Sequence, residues 1–84
     1  MANVKIYTTT YCPYCTAAKN LLKQRGVPFE EVVVDRNNDE EWSAMIKRSG
    51  MRTVPQIFHG DVLIGGFDDL SALDKRQGLE HLKN

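Results

Sequence analysis

The sequence has no long apolar run, no excess of either charge and almost no cysteine. Each scarcity excludes something. No stretch approaches the roughly 20 apolar residues that cross a bilayer, so no transmembrane helix is expected. The opening residues, Met1-Ala2-Asn3-Val4-Lys5, lack the basic start and apolar middle of a secretory signal. A cytoplasmic protein is the expectation. Eleven basic residues balance eleven acidic ones. That balance gives no whole-protein reason to expect nucleic acid or a membrane as partner. Repeats and low-complexity segments are also lacking, and 84 residues make one domain, 1–84. Nothing in the sequence demands more than a monomer.

The shortage of cysteine is the most informative. There are two, Cys12 and Cys15, separated by Pro13-Tyr14. A bridge closing so short a loop restrains the unfolded chain little, and a structural disulfide is out of place in the cytoplasm. Chemistry explains the pair better than stability does.

What is present alternates between strand and helix patterns. Val4 to Thr8 reads as a first strand. Pro13 suits the first position of a helix, where its missing N–H goes unneeded. Tyr14, Ala17, Ala18, Leu21 and Leu22 then fall on one helical face, and Gly26 stops the helix. Phe29 to Val34 reads as a second strand, and Val32-Val33-Val34 suggests burial on both faces. Asn37 or Asn38 caps a second helix with Trp42, Met45 and Ile46 inward, Lys47 and Arg48 in its last turn and Gly50 at its end. Gln56 to His59 and Val62 to Ile64 form a hairpin about Gly60-Asp61. After Gly65-Gly66, Asp68 or Asp69 caps a third helix bearing Leu70, Leu73 and Ala72. Gly78 breaks it, and Leu79 and Leu82 add a turn. The expected fold is α/β, in the order β-α-β-α-β-β-α. The crossover makes the first strands parallel and the hairpin is antiparallel, giving a mixed four-stranded sheet with helices on both faces. Met45, Trp42 and Phe58 read as core. Met51 is either loop cover or groove lining. Lys19, Lys23 and Arg25 read as the exposed face of the first helix.

A Cys-x-x-Cys at the start of the helix in a βαβ unit is a redox motif. Cys12 falls at the cap position, facing the unpaired N–H groups of the first turn. Those donors and the positive end of the helix dipole favour a thiolate, the attacking species. Cys15 lies one turn further in and is more enclosed. It is placed to attack the resulting mixed disulfide. Zinc would need three or four ligands. The remaining soft ligands, His59 and His81, form no spaced pair, so no metal is expected.

Read with its other landmarks, the chain resembles the glutaredoxin family, and within it the short bacterial type. The residues carrying the resemblance are Cys12-Pro13-Tyr14-Cys15, Thr53-Val54-Pro55 and Gly65-Gly66-Phe67-Asp68-Asp69, in that order. The resemblance implies a thioredoxin fold. It implies a glutathione-dependent enzyme that reduces protein disulfides and glutathione mixed disulfides, with glutathione as co-substrate and no tightly bound cofactor. It also implies a cis bond before Pro55, which would present the Val54 backbone to a cysteinyl peptide as an added strand; without it, Pro55 simply starts a strand. Glutathione contacts are implied for Tyr14, Arg52, Thr53, Val54, Pro55, Gly66, Asp68 and Asp69. The acids and the helix N–H donors would meet the ammonium and carboxylate of the γ-glutamyl end.

One departure stands out. Relatives commonly carry a lysine just before the first cysteine, near the glycyl carboxylate. Here the residues are Thr8-Thr9-Thr10, so a clamp at Thr9 is not expected; Arg52 and Gln56 are the available substitutes. Two rival functions remain. One is a glutaredoxin-shaped electron donor reduced by thioredoxin reductase, against which the acid pair at Asp68-Asp69 argues. The other is an iron–sulfur carrier built from Cys12 of two subunits and two glutathiones, against which Pro13 argues.

Overall fold

The computed structural model describes residues 3–10, 12–35, 37–76 and 78–79. Seven elements follow one another: β1 (Val4–Thr8), α1 (Pro13–Gln24), β2 (Phe29–Val33), α2 (Asp39–Ser49), β3 (Gln56–His59), β4 (Val62–Gly65) and α3 (Phe67–Lys75). The sheet order is β2-β1-β3-β4. β1 pairs parallel with β2 and antiparallel with β3, and β3 pairs antiparallel with β4. This is the expected mixed sheet.

Alternation along β1 sorts the core into two layers. Val4 and Ile6 face one side, where they pack with Ala18 and Leu22 of α1, Ile57 of β3 and Leu70 of α3. Tyr7 faces the other side and packs with Phe58, Val34 and Met45, with Trp42 against them. Helices therefore cover both faces: α1 and α3 on one, α2 on the other. Leu79, buried at 2% exposure, closes the first layer after α3 ends; Leu82 lies outside the described residues.

Local chemistry sets the ends. Asn38 caps α2, its side chain accepting the Glu41 N–H at 3.2 Å. Asp39, Glu40 and Glu41 fill the first turn, Lys47 and Arg48 the last, each sign suiting its end of the dipole. Gly50 ends α2 at φ +75°, a conformation that favours glycine. Arg25, the C-cap of α1, grips Asp74 of α3 with two bonds of 2.8 and 3.2 Å.

Four expectations need correction. β2 is an edge strand, so it is not buried on both faces: Val33 is 56% exposed while Val34 is buried. The buried stripe of α1 is Cys15, Ala18 and Leu22, with Tyr14 turned out at 64% exposure. Neither Asp68 nor Asp69 is the N-cap of α3; Gly66 holds that position, both acids sit in the first turn, and Asp69 reaches back from there as the third residue of a capping box. Ala72 is exposed and takes no part in the core. No helix among the described residues is long and apolar enough to cross a membrane.

Candidate active site

β1 delivers the chain to the loop before α1, and Cys12 is the N-cap of that helix, with extended backbone (φ −153°, ψ 103°). Its sulfur does what a serine or aspartate oxygen does at other caps. It accepts the Cys15 N–H at 3.2 Å. Pro13 follows in the first turn, where it wastes no donor. The Cys12 thiol also donates to the Val54 carbonyl at 3.8 Å, which ties the cysteine to a loop from the far side of α2.

Cys15 lies on the buried stripe at 2% exposure. Its thiol is pushed up to about 12, first by burial, then by its hydrogen bond to Cys12 and by the charge there. A bond from the Thr9 backbone and the charge of Lys19 act the other way. The two sulfurs are thus unequal. Cys12 is partly exposed and faces helix donors; Cys15 is enclosed and keeps its proton.

The loop from Met51 to Pro55 is held from inside. Gln56, fully buried, donates its side-chain N–H groups to the carbonyls of Met51 and Thr53, each at 2.9 Å. The Ser49 hydroxyl accepts the Met51 N–H at 2.9 Å. These bonds satisfy inward-facing loop groups that would otherwise be orphaned. The Val54–Pro55 bond is cis, as the family resemblance implied.

Across from this loop, β4 ends at Gly65 with φ +125°. The Asp69 carboxylate reaches back to accept the Gly66 N–H at 3.1 Å. A side chain at Gly65 would run into that carboxylate. Glycine is needed here both for the backbone angle and for the space.

The two segments enclose an open groove of about 260 Å³ lined by Tyr14, Met51, Thr53, Val54, Pro55, Gly66, Phe67, Asp68 and Asp69. Tyr14 and Phe67 face each other with ring centroids 6.3 Å apart. The groove brings together seven of the eight residues assigned to glutathione: Tyr14, Thr53, Val54, Pro55, Gly66, Asp68 and Asp69. Arg52 is exposed and does not line it. Gln56, the other substitute offered for the missing lysine, is buried with its side-chain N–H groups on the loop carbonyls. Thr9 points its hydroxyl inward, buried without a partner among the described residues. Sequence reasoning missed Phe67, although it sits inside a quoted landmark, and left Met51 open; both line the groove. Among the described residues no three His, Cys, Asp or Glu side chains gather as metal ligands would. His81 lies outside them.

A capped, partly exposed cysteine and a buried partner one turn away, at the carboxyl end of a parallel strand, define a thiol–disulfide oxidoreductase on a thioredoxin fold. The glutaredoxin family model matches residues 4–64, and the chain belongs to that family. It is 56% identical over 82 residues to Glutaredoxin 3 of Escherichia coli K12, covering 98% of each chain. Solved structures agree. A buckwheat glutaredoxin–glutathione complex superposes with TM-score 0.85 at 28% identity, over 96% of this chain and 76% of that one. The holo form of glutaredoxin C1 from Populus tremula x tremuloides gives 0.86 at 36% identity, over 98% and 83%.

Proposed function

We propose that this protein is a glutathione-disulfide oxidoreductase, reducing protein disulfides and glutathione mixed disulfides as a cytoplasmic monomer. The observation that carries this reading is the groove. It is lined on one side by Val54, whose carbonyl meets the Cys12 sulfur, and on the other by Asp68 and Asp69 at the N-terminus of α3. A short peptide disulfide-linked to Cys12 would lie along it. The first-turn N–H groups of α3 suit its carboxylate and the acids its ammonium. Tyr14 and Phe67 wall one side.

The chemistry follows from the unequal sulfurs. Cys12, as thiolate, attacks one sulfur of the substrate disulfide. A Cys12–substrate bond forms, and the other substrate sulfur leaves with the electron pair and takes a proton from solvent. A Cys12 thiolate no longer donates to the Val54 carbonyl, which becomes free to accept an N–H from the incoming peptide. With Cys12 held in a disulfide, its charge no longer bears on Cys15, and one cause of the raised thiol value disappears. Cys15 then loses its proton to solvent, attacks Cys12 and expels the substrate thiolate. Glutathione reduces the Cys12–Cys15 disulfide through a mixed disulfide at Cys12. A glutathione mixed disulfide needs only Cys12, since a second glutathione can resolve it.

The test is glutathione-dependent turnover of a small glutathione mixed disulfide. Cys12→Ser is expected to be inactive and Cys15→Ser to retain activity, while Cys15→Ser loses turnover of a protein disulfide. Full activity in Cys12→Ser would overturn the assignment.

A further inference from the structure

Three side chains behind Cys15 form a chain of contacts that the steps above do not use. Lys19 stands four residues after Cys15 on α1, the spacing that places two side chains on the same helix face. Its ammonium meets Glu31 of β2 at 2.9 Å, with the two side chains about a third exposed, at 27% and 32%. The same Glu31 oxygen accepts the hydroxyl of Thr8 at 2.7 Å. Thr8 is the last residue of β1 and is 1% exposed. The next residue, Thr9, makes the backbone hydrogen bond to Cys15.

A simple surface ion pair contributes little, but this one is anchored from the buried side. Thr8 spends its only side-chain donor on Glu31. Lys19 first, and Thr8 second, hold the Glu31 carboxyl below its usual range. The cation is therefore fixed on the face of α1 that carries Cys15. Cys12 and Lys19 are the charged groups that bear on the Cys15 sulfur, and Lys19 is the one that favours its ionised form. Lys23, one turn on, acts on Glu31.

We propose that Lys19 is a positioning residue for the resolving step: held by Glu31 and Thr8, it supports the charge that develops on the Cys15 sulfur as it attacks Cys12, and so sets how readily the protein uses two cysteines rather than one. The proposal rests on the division of labour between Cys12 and Cys15 given above. Glutathione can resolve a mixed disulfide without Cys15. A faster Cys15 therefore shifts turnover toward protein disulfides, and a slower one toward glutathionylated substrates.

The step can be watched directly with dithiobis-nitrobenzoate, an aromatic disulfide whose thiolate is coloured. Cys12 attacks it and releases one coloured thiolate in a phase that scales with reagent concentration. Cys15 then loses its proton to solvent and attacks the Cys12 sulfur. The Cys12–Cys15 bond forms, and the second coloured thiolate leaves with the electron pair in a phase independent of concentration. In Lys19→Gln the second phase is expected to slow by about three- to tenfold, the effect of losing one partly screened charge. Its rise with pH should move to higher pH, while the first phase is unchanged. Lys19→Arg should restore both rate and profile. A second phase in Lys19→Gln equal to wild type overturns the proposal. Recovery of the wild-type rate in Lys19→Gln/Glu31→Gln also overturns it, because the slowing would then come from a stranded Glu31 carboxylate. Cys15→Ser is the control on the reading beneath: two phases there would mean that Cys15 is not the resolving group at all.

Discussion

Replacing Gly65 by alanine tests how the α3 side of the groove is built. Two costs follow from its geometry. Gly65 has φ +125°, outside the regions that L-residues readily occupy, and holding alanine there costs about 1–3 kcal/mol. The new Cβ would also meet the Asp69 carboxylate, displacing it from the Gly66 N–H at the start of α3. Losing a capping bond to a charged acceptor costs about 1 kcal/mol more. The sum is about 3 kcal/mol, which in a domain of this size lowers the melting temperature by about 12 °C or more. Urea unfolding of wild type, G65A, D69A and the double variant separates the two costs. In the Asp69→Ala background the clash with the carboxylate and the lost capping bond drop out, leaving the backbone cost and the contact with the remaining Cβ at 2.9 Å, so Gly65→Ala should be about 1 kcal/mol less harmful there. Because Asp69 lines the groove, G65A should also raise the KM for glutathione. A G65A protein within about 0.5 kcal/mol of wild type, the range of an ordinary surface change, would refute the reasoning. An equal cost in both backgrounds would remove Asp69 from it.

Gln56→Ala should strand the carbonyls of Met51 and Thr53, costing about 2–3 kcal/mol in urea unfolding, and should raise KM for glutathione more than it lowers kcat, because the loop it braces lines the groove. Cys15 gives a pH prediction. Its thiol value is raised from the ordinary range near 8.5 to about 12. Below that window both folded and unfolded chains keep the proton and Cys15 contributes no pH dependence. Within the window the unfolded chain releases the proton while the folded one holds it, so stability falls as pH rises, by up to about 1.4 kcal/mol per unit. Unfolding from pH 8 to about 11 should show this slope in wild type and a shallower one in Cys15→Ala. For the same reason, iodoacetamide at neutral pH should label Cys12 alone in the folded protein; equal labelling of Cys15 would contradict its burial.

Much of the fold was legible because its signals are local. The Cys12 cap, Pro13 in the first turn, Asn38 before an acidic turn and Gly50 after a basic one each act within a few residues. The hairpin about Gly60-Asp61 is equally local. The misreadings concern facts that only tertiary structure sets. Val32-Val33-Val34 has the composition of a central strand, but nothing in three valines says that β2 lies at the edge. Asp68 and Asp69 are both good caps, and the choice of Gly66 instead depends on how β4 turns into α3. Lys19 and Arg25 looked like a solvated face because their partners, Glu31 and Asp74, are 12 and 49 residues away. Arg52 and Gln56 flank the same tripeptide and looked interchangeable as replacements for the absent lysine. The structure sends one to solvent and the other into the core.

The rotation of α1 matters most for the chemistry. A stripe of Tyr14, Ala17, Ala18, Leu21 and Leu22 is as apolar as the one observed. The two share Ala18 and Leu22, and a turn smaller than about 100°, the angle between successive residues, separates them. That turn would put the Tyr14 ring in the core and bring Cys15 toward solvent. In the observed setting Ala18 and Leu22 pack on Val4, Ile6 and Ile57, and Cys15 is buried with them while Tyr14 opens onto the groove opposite Phe67. The tetrad alone does not make its cysteines unequal. Any helix beginning at Pro13 would give Cys12 its cap, but only this packing encloses Cys15 and keeps its proton until Cys12 has reacted. Core substitutions at Ala18 or Leu22 that shift α1 should therefore change the chemistry of Cys15 before they touch that of Cys12.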